Sequence, residues 1–223
     1  MIATLLVPRR FALWTLANGT FPGALACIGI AIALSIIGAY DIATRTDVED
    51  IVFGPTRSSA VDALIGAIGV ERTSVLVYML QQSFDVLVVA SAATPIFLWL
   101  LGSSAMHASA ALRGVRGRAY LPMIVVFAYA ELCYQAPTSL TGLAFGSFGS
   151  GPGPQIASAV SILALVWFGM VVYRAIEIHY RVSGDRALGI FLVGAIAFYL
   201  VPFLLIIGVL IAIVLAAALL QYF

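Results

Sequence analysis

One carboxylate stands near the middle of an otherwise apolar stretch: Glu131, in Met123-Ile-Val-Val-Phe-Ala-Tyr-Ala-Glu-Leu-Cys-Tyr-Gln-Ala-Pro137. A charge at bilayer mid-depth costs at least about 2.5 to 3.5 kcal/mol, so this group needs a proton, a partner or a wet cavity. Gln135 follows one helical turn on and Thr138 two turns on, which on a helix makes one polar stripe. Asp85, with Gln81 and Gln82 a turn before it, makes a similar stripe in an earlier apolar stretch. If the stripes meet, the two acids share a proton as a coupled pair or line an ion path. The plainer use, and the commoner one, is a hydrogen-bonded tie between helices. A tie of that kind predicts that Glu131→Leu strands a buried donor and loses stability.

Other chemistries find less support. Cys27 and Cys133 fall inside separate apolar stretches and read as small buried hydrophobes rather than a disulfide. His107 and His179 sit at helix ends, where an imidazolium complements the dipole, and have no third ligand at metal spacing. No phosphate-binding loop, dinucleotide fingerprint, HExxH, GxSxG or CxxC occurs, so no catalytic residue, cofactor or metal is expected. A lipid-handling enzyme would have only His107, His179 and Glu177 to draw on. The run Arg113-Gly-Val-Arg-Gly-Arg118 places Arg113, Arg116 and Arg118 as candidate contacts to lipid headgroups, with membrane topology as the simpler reason for their presence. Nothing suggests a nucleic-acid partner.

The elements that must hold these residues are membrane spans. With 63% hydrophobic and 9% charged residues, the chain belongs in a bilayer. Crossing it takes about 20 apolar residues. Five stretches qualify: Gly19 to Tyr40, Val75 to Leu101, Tyr120 to Phe145, Gln155 to Tyr173 and Ala187 to Phe223. Pro95 and Pro137 should bend the second and third. The fifth is too long for one crossing, and Pro202 should kink or divide it. Trp14, Trp99, Trp167, Tyr120, Tyr173, Tyr180 and Tyr222 mark span ends, and Gly146 to Pro154 forms an outer turn. Ser59-Ala-Val-Asp62 has capping-box spacing and starts a short helix lying on the outer interface. The expected fold is all-α, a single domain over residues 1–223 made of a five-helix transmembrane bundle plus that interfacial helix.

Several pieces in order resemble the Yip-domain family of Ypt/Rab-interacting membrane proteins, in its bacterial form. They are the opening Pro8-Arg-Arg-Phe-Ala-Leu-Trp14, then Trp99 to His107 leading into Ala111-Leu-Arg-Gly-Val-Arg-Gly117, then Val126-Phe-Ala-Tyr-Ala130 with Pro137 beyond. Val166-Trp-Phe-Gly-Met170 and Ile176-Glu-Ile-His-Tyr-Arg-Val-Ser-Gly-Asp-Arg-Ala-Leu188 follow. The resemblance implies a five-span protein that associates with other membrane proteins, with lipids or with itself, and has no catalytic residues. The family's acidic-aromatic-Gly-Pro motif before the first span is missing, so no GTPase partner is implied.

Arginine placement orients the spans. Lysine is absent, and eight of eleven arginines fall before span one, between spans two and three, or between spans four and five. By the positive-inside rule these segments are cytoplasmic, as is the amino terminus, while Phe223 is exoplasmic in a prokaryotic-type inner membrane. Cysteines introduced in Asp41 to Thr73 or Gly146 to Pro154 should therefore react with an impermeant thiol reagent on intact cells. Cysteines at Ala111 or Ser183 should not, and labelling of Ser183→Cys would overturn the topology.

Overall fold

The computed structural model describes residues 7–55, 57–146 and 151–220, and these are mostly helical, with no strand among them. The order is α1 (Pro8–Asn18), α2 (Phe21–Arg45), α3 (Val48–Phe53), α4 (Ser59–Ile68), α5 (Val70–Ser91) and α6 (Ala93–Phe97). A π-helical turn (Leu98–Gly102) follows, then α7 (Ser103–Leu112), α8 (Leu121–Phe145), α9 (Pro152–Tyr180) and α10 (Gly184–Leu220).

Five helices are long and apolar enough to cross a membrane: Phe21–Arg45, Val70–Ser91, Ala93–Leu112, Pro152–Tyr180 and Gly184–Leu204. The all-α polytopic class is as expected, but the set differs from the sequence reading. The single stretch Val75 to Leu101 becomes two helices that break at Ala92. The 25-residue α8 is absent from the five, because Glu131, Gln135, Thr138, Ser139 and Thr141 dilute its hydropathy. The fifth stretch is not divided, and α10 runs as one helix with Pro202 inside it. Gly146 and residues 151–154 of the expected outer turn are described, whereas residues 147–150 and the anchor Tyr222 lie outside the described ones.

The break at Ala92 has a chemical cause. Pro95 carries no N–H, so the Ser91 carbonyl four residues back loses its helical donor. In lipid such a group must be satisfied from within the protein. Ser35 of α2 does this, its hydroxyl donating to Ser91 O at 2.9 Å. Ala92 itself keeps right-handed angles, φ −63° and ψ −29°, so the chain turns without reversing.

Local signals set the other ends. Asp47, which the sequence reading did not single out, caps α3 by accepting from the amides of Glu49 and Asp50. For α4 the cap is Ser58, accepting from Val61 N at 3.4 Å, one residue before the expected Ser59, while Asp62 pairs with Arg57. Gly114 ends α7 with φ +79°, a left-handed conformation that suits glycine, and Val115 N reaches back to Ala110 O.

The helices pack as two compact units. The first comprises Met1–Cys27, Phe97–Glu131 and Val166–Phe223. In its core the Phe11 ring meets Trp167 edge-on at 5.1 Å and Phe127 meets Phe168 at 5.7 Å. A Cβ on Gly102 would strike the Phe127 ring, and one on Gly194 would lie 3.2 Å from Met106 Cα, so both glycines permit close approach. Ser109, 1% exposed, donates to Ile190 O at 2.8 Å, and Trp99 Nε1 donates to Ile124 O at 2.9 Å.

The second unit comprises Ile28–Ile96 and Leu132–Leu165. Here Gln81 is committed to structure, its Oε1 accepting from Val48 N at 3.1 Å and its Nε2 donating to Thr46 O at 3.5 Å. The α3 and α4 helices both lie against α5.

Candidate functional site

Glu131 belongs to the first unit and is buried, 1% exposed. Apolar residues at Met123, Val126, Phe127, Ala128 and Ala130 put this part of α8 in the core, and the acid goes in with them. Its Oε2 has no hydrogen-bond partner among the described residues. The tie expected from the sequence is therefore not seen at that oxygen. A charge there would carry its full desolvation cost unpaired, which makes Glu131 the energetic outlier of this core.

Asp85 and Gln135 lie in the second unit, against separate cavities. Asp85 is exposed and borders a cavity of about 410 Å³ with Tyr40, Thr44 and Gln81. Thr44 is the penultimate residue of α2, next to an Asp41–Arg45 ion pair, so Asp85 stands level with a charged helix end. Gln135 lines a cavity of about 340 Å³ together with Ser35, Ser91, Thr94, Thr138 and Ser139. Its Nε2 donates to Ser139 Oγ at 2.9 Å, and Thr138 donates to Tyr134 O. Among the described residues no charged side chain lines this second cavity, so its polar chemistry is that of neutral hydroxyls and one amide.

The histidines do come together, in the first unit. Tyr180, 4% exposed, hydrogen-bonds to His107 Nδ1 at 2.8 Å and stacks edge-on against His179 at 4.8 Å. His179 Nε2 donates to Ala119 O at 2.9 Å. Tyr120 meets Ser103 and Ser104 through its hydroxyl, at 2.9 and 2.6 Å, with its ring 5.1 Å from that of His107. Glu177 is taken by Arg174 at 2.7 Å. The network thus spends its polar groups on holding the segment between α7 and α8 against α9. The sequence offered no sign of it, since Tyr120 and Tyr180 read there only as interface anchors. Among the described residues no three His, Cys, Asp or Glu side chains gather where they could hold a metal.

Of the three arginines, Arg113 and Arg116 are exposed and Arg118 is half-buried. Arg113 has the more defined setting, since a Cβ on Gly189 would fall within its guanidinium. Comparison with protein-family models, with curated proteins and with solved structures finds no match for the chain.

The unpartnered oxygen reverses the expected cost of removing the acid. With no donor to strand at Oε2, Glu131→Leu should melt in detergent at or above the wild-type temperature, since an apolar group of similar volume is neutral or stabilising there. Destabilisation of about 1 to 3 kcal/mol in a thermal unfolding assay would instead reveal a buried donor bound to the acid.

Proposed function

We propose that this chain is a non-enzymatic integral membrane scaffold or accessory subunit of Yip-like type, working through self-association or through other membrane proteins and lipids. Its amino terminus is cytoplasmic and its carboxy terminus exoplasmic in a prokaryotic-type inner membrane. The observation that supports this reading is the bare face of α5. Only Thr73 and Val77 of that helix are buried. Tyr78, Gln82, Asp85 and Val89 fall at helical spacing on one side and are all exposed, Tyr78 by 66% and Val89 by 76%. Exposed Gln and Asp side chains beside large apolar ones favour association, because a neighbouring helix covers the apolar surface and takes up their hydrogen bonds together.

Purification in mild detergent should then yield a stoichiometric protein partner or a homo-oligomer. The double change Gln82→Leu/Asp85→Leu should weaken the association roughly tenfold, from about 1 to 2 kcal/mol of lost interhelical hydrogen bonding. A wild-type protein that runs as a lone monomer in native mass spectrometry counts against the reading.

The unpartnered Oε2 of Glu131 favours a second reading, a proton or small-solute carrier in which that carboxyl group binds the moving species. In proteoliposomes Glu131→Gln should then remain folded and lose pH-driven flux. Flux that survives the change removes Glu131 from any path.

A further inference from the structure

Two arginine side chains join the end of α7 to the start of α10 in the first unit, and no acid neutralises either among the described residues. Arg113 ends α7 and is exposed, with its guanidinium seated on the bare backbone of Gly189. Arg186, in the first turn of α10, donates through Nη2 to the carbonyl oxygen of Arg113. The same Nη2 lies 3.5 Å from where a Cβ on Gly114 would stand. Neither arginine takes part in an ion pair among the described residues. Glu177 is held by Arg174, and Asp185, beside Arg186 in the chain, is exposed and pairs with neither.

A topological role accounts for the number of arginines here but not for this arrangement. Cations spread along a loop would satisfy the positive-inside bias equally well, whereas each of these two sets its head on the backbone of the other's segment, and one is seated in a slot that a methyl group would fill. Neither head has a counter-charge among the described residues, and an Arg in the first helical turn opposes the dipole. Both are relieved by one bound anion. Arg113 directly follows the span Ala93–Leu112 and Arg186 lies two residues into Gly184–Leu204, so each stands at a span end, the level of lipid phosphates. A guanidinium fork matches phosphate oxygens two at a time, which a point charge does not.

We infer that Arg113 and Arg186 form a binding site for a phosphate anion, specifically the phosphodiester of an anionic phospholipid headgroup, with Gly189 as the seat that orients Arg113. The inference stands apart from both functional readings above. It also narrows the sequence expectation of Arg113, Arg116 and Arg118, replacing the last two with Arg186.

The test measures phosphatidylglycerol retained against phosphatidylcholine by native mass spectrometry of protein released from mixed nanodiscs. Wild type should retain phosphatidylglycerol selectively. Arg113→Gln/Arg186→Gln should lose about tenfold or more of that selectivity. Arg9→Gln/Arg10→Gln, which removes two exposed arginines elsewhere, should not. Gly189→Ala is the sharper variant, since it keeps every charge and improves helix propensity yet displaces the Arg113 head, and it too should lose selectivity. Competition by millimolar inorganic phosphate would keep the anion site but assign it to a soluble phosphate. Selectivity unchanged in Gly189→Ala and in the double variant, or equal loss in the Arg9/Arg10 control, would overturn the site.

Discussion

The first unit hangs on one seam, where α7 and α10 approach closely enough for the Ser109 hydroxyl to reach the Ile190 carbonyl. Lipid tails are as apolar as leucine, so no hydrophobic drive pulls two spans together and the contact itself must do so. Gly194 supplies closeness against Met106, and the buried hydrogen bond adds on the order of 0.6 kcal/mol. The seat of Arg113 on Gly189 extends the same α7–α10 seam, and the bond from His107 to Tyr180 links α7 to α9. Shifting α10 by one residue would carry Gly189 and Gly194 off their partners together.

The second unit is built differently. In its span Val70–Ser91 11% of the residues are buried, against 39% in Ala93–Leu112, and of its cavities one is lined largely by small residues and hydroxyls and the other by Tyr40, Phe84, Asp85 and two valines. Tight packing leaves a buried acid one environment, whereas loosely covered helices leave polar groups open to whatever adjoins them. Glu131 meets the first condition, and Gln82 and Asp85 meet the second. This division supports assigning the acid an internal role and the α5 face an external one.

Much of the fold was legible because hydropathy over some 20 residues reports burial in lipid directly. The burial of Cys27 followed from the same reading, and the helix near Ser59 from its capping-box spacing. The break at Ala92 was legible in part: Pro95 announced a bend, but not which carbonyl it would free or that Ser35, 56 residues earlier, would take it up. The π-helical turn Leu98–Gly102 left no sequence mark, because Leu-Trp-Leu-Leu-Gly suits an ordinary helix equally well. Gln81 misled by composition, since a glutamine near an acid looks like part of a polar stripe when it in fact closes a turn. For Glu131 the burial could be read from its flanks. The missing partner could not, because hydrogen bonds between distant residues are set by tertiary geometry.

The link between Pro95 and Ser35 also constrains how this chain can change over generations. A serine that answers a proline's vacant carbonyl is neutral to lose only in a background where the proline has already gone, since an ordinary residue at position 95 restores the amide. The reverse order passes through a state with an unanswered carbonyl in lipid. Substitutions at these two positions are thus ordered in time, the proline leaving first, and the two sites drift as a pair although they lie on different helices.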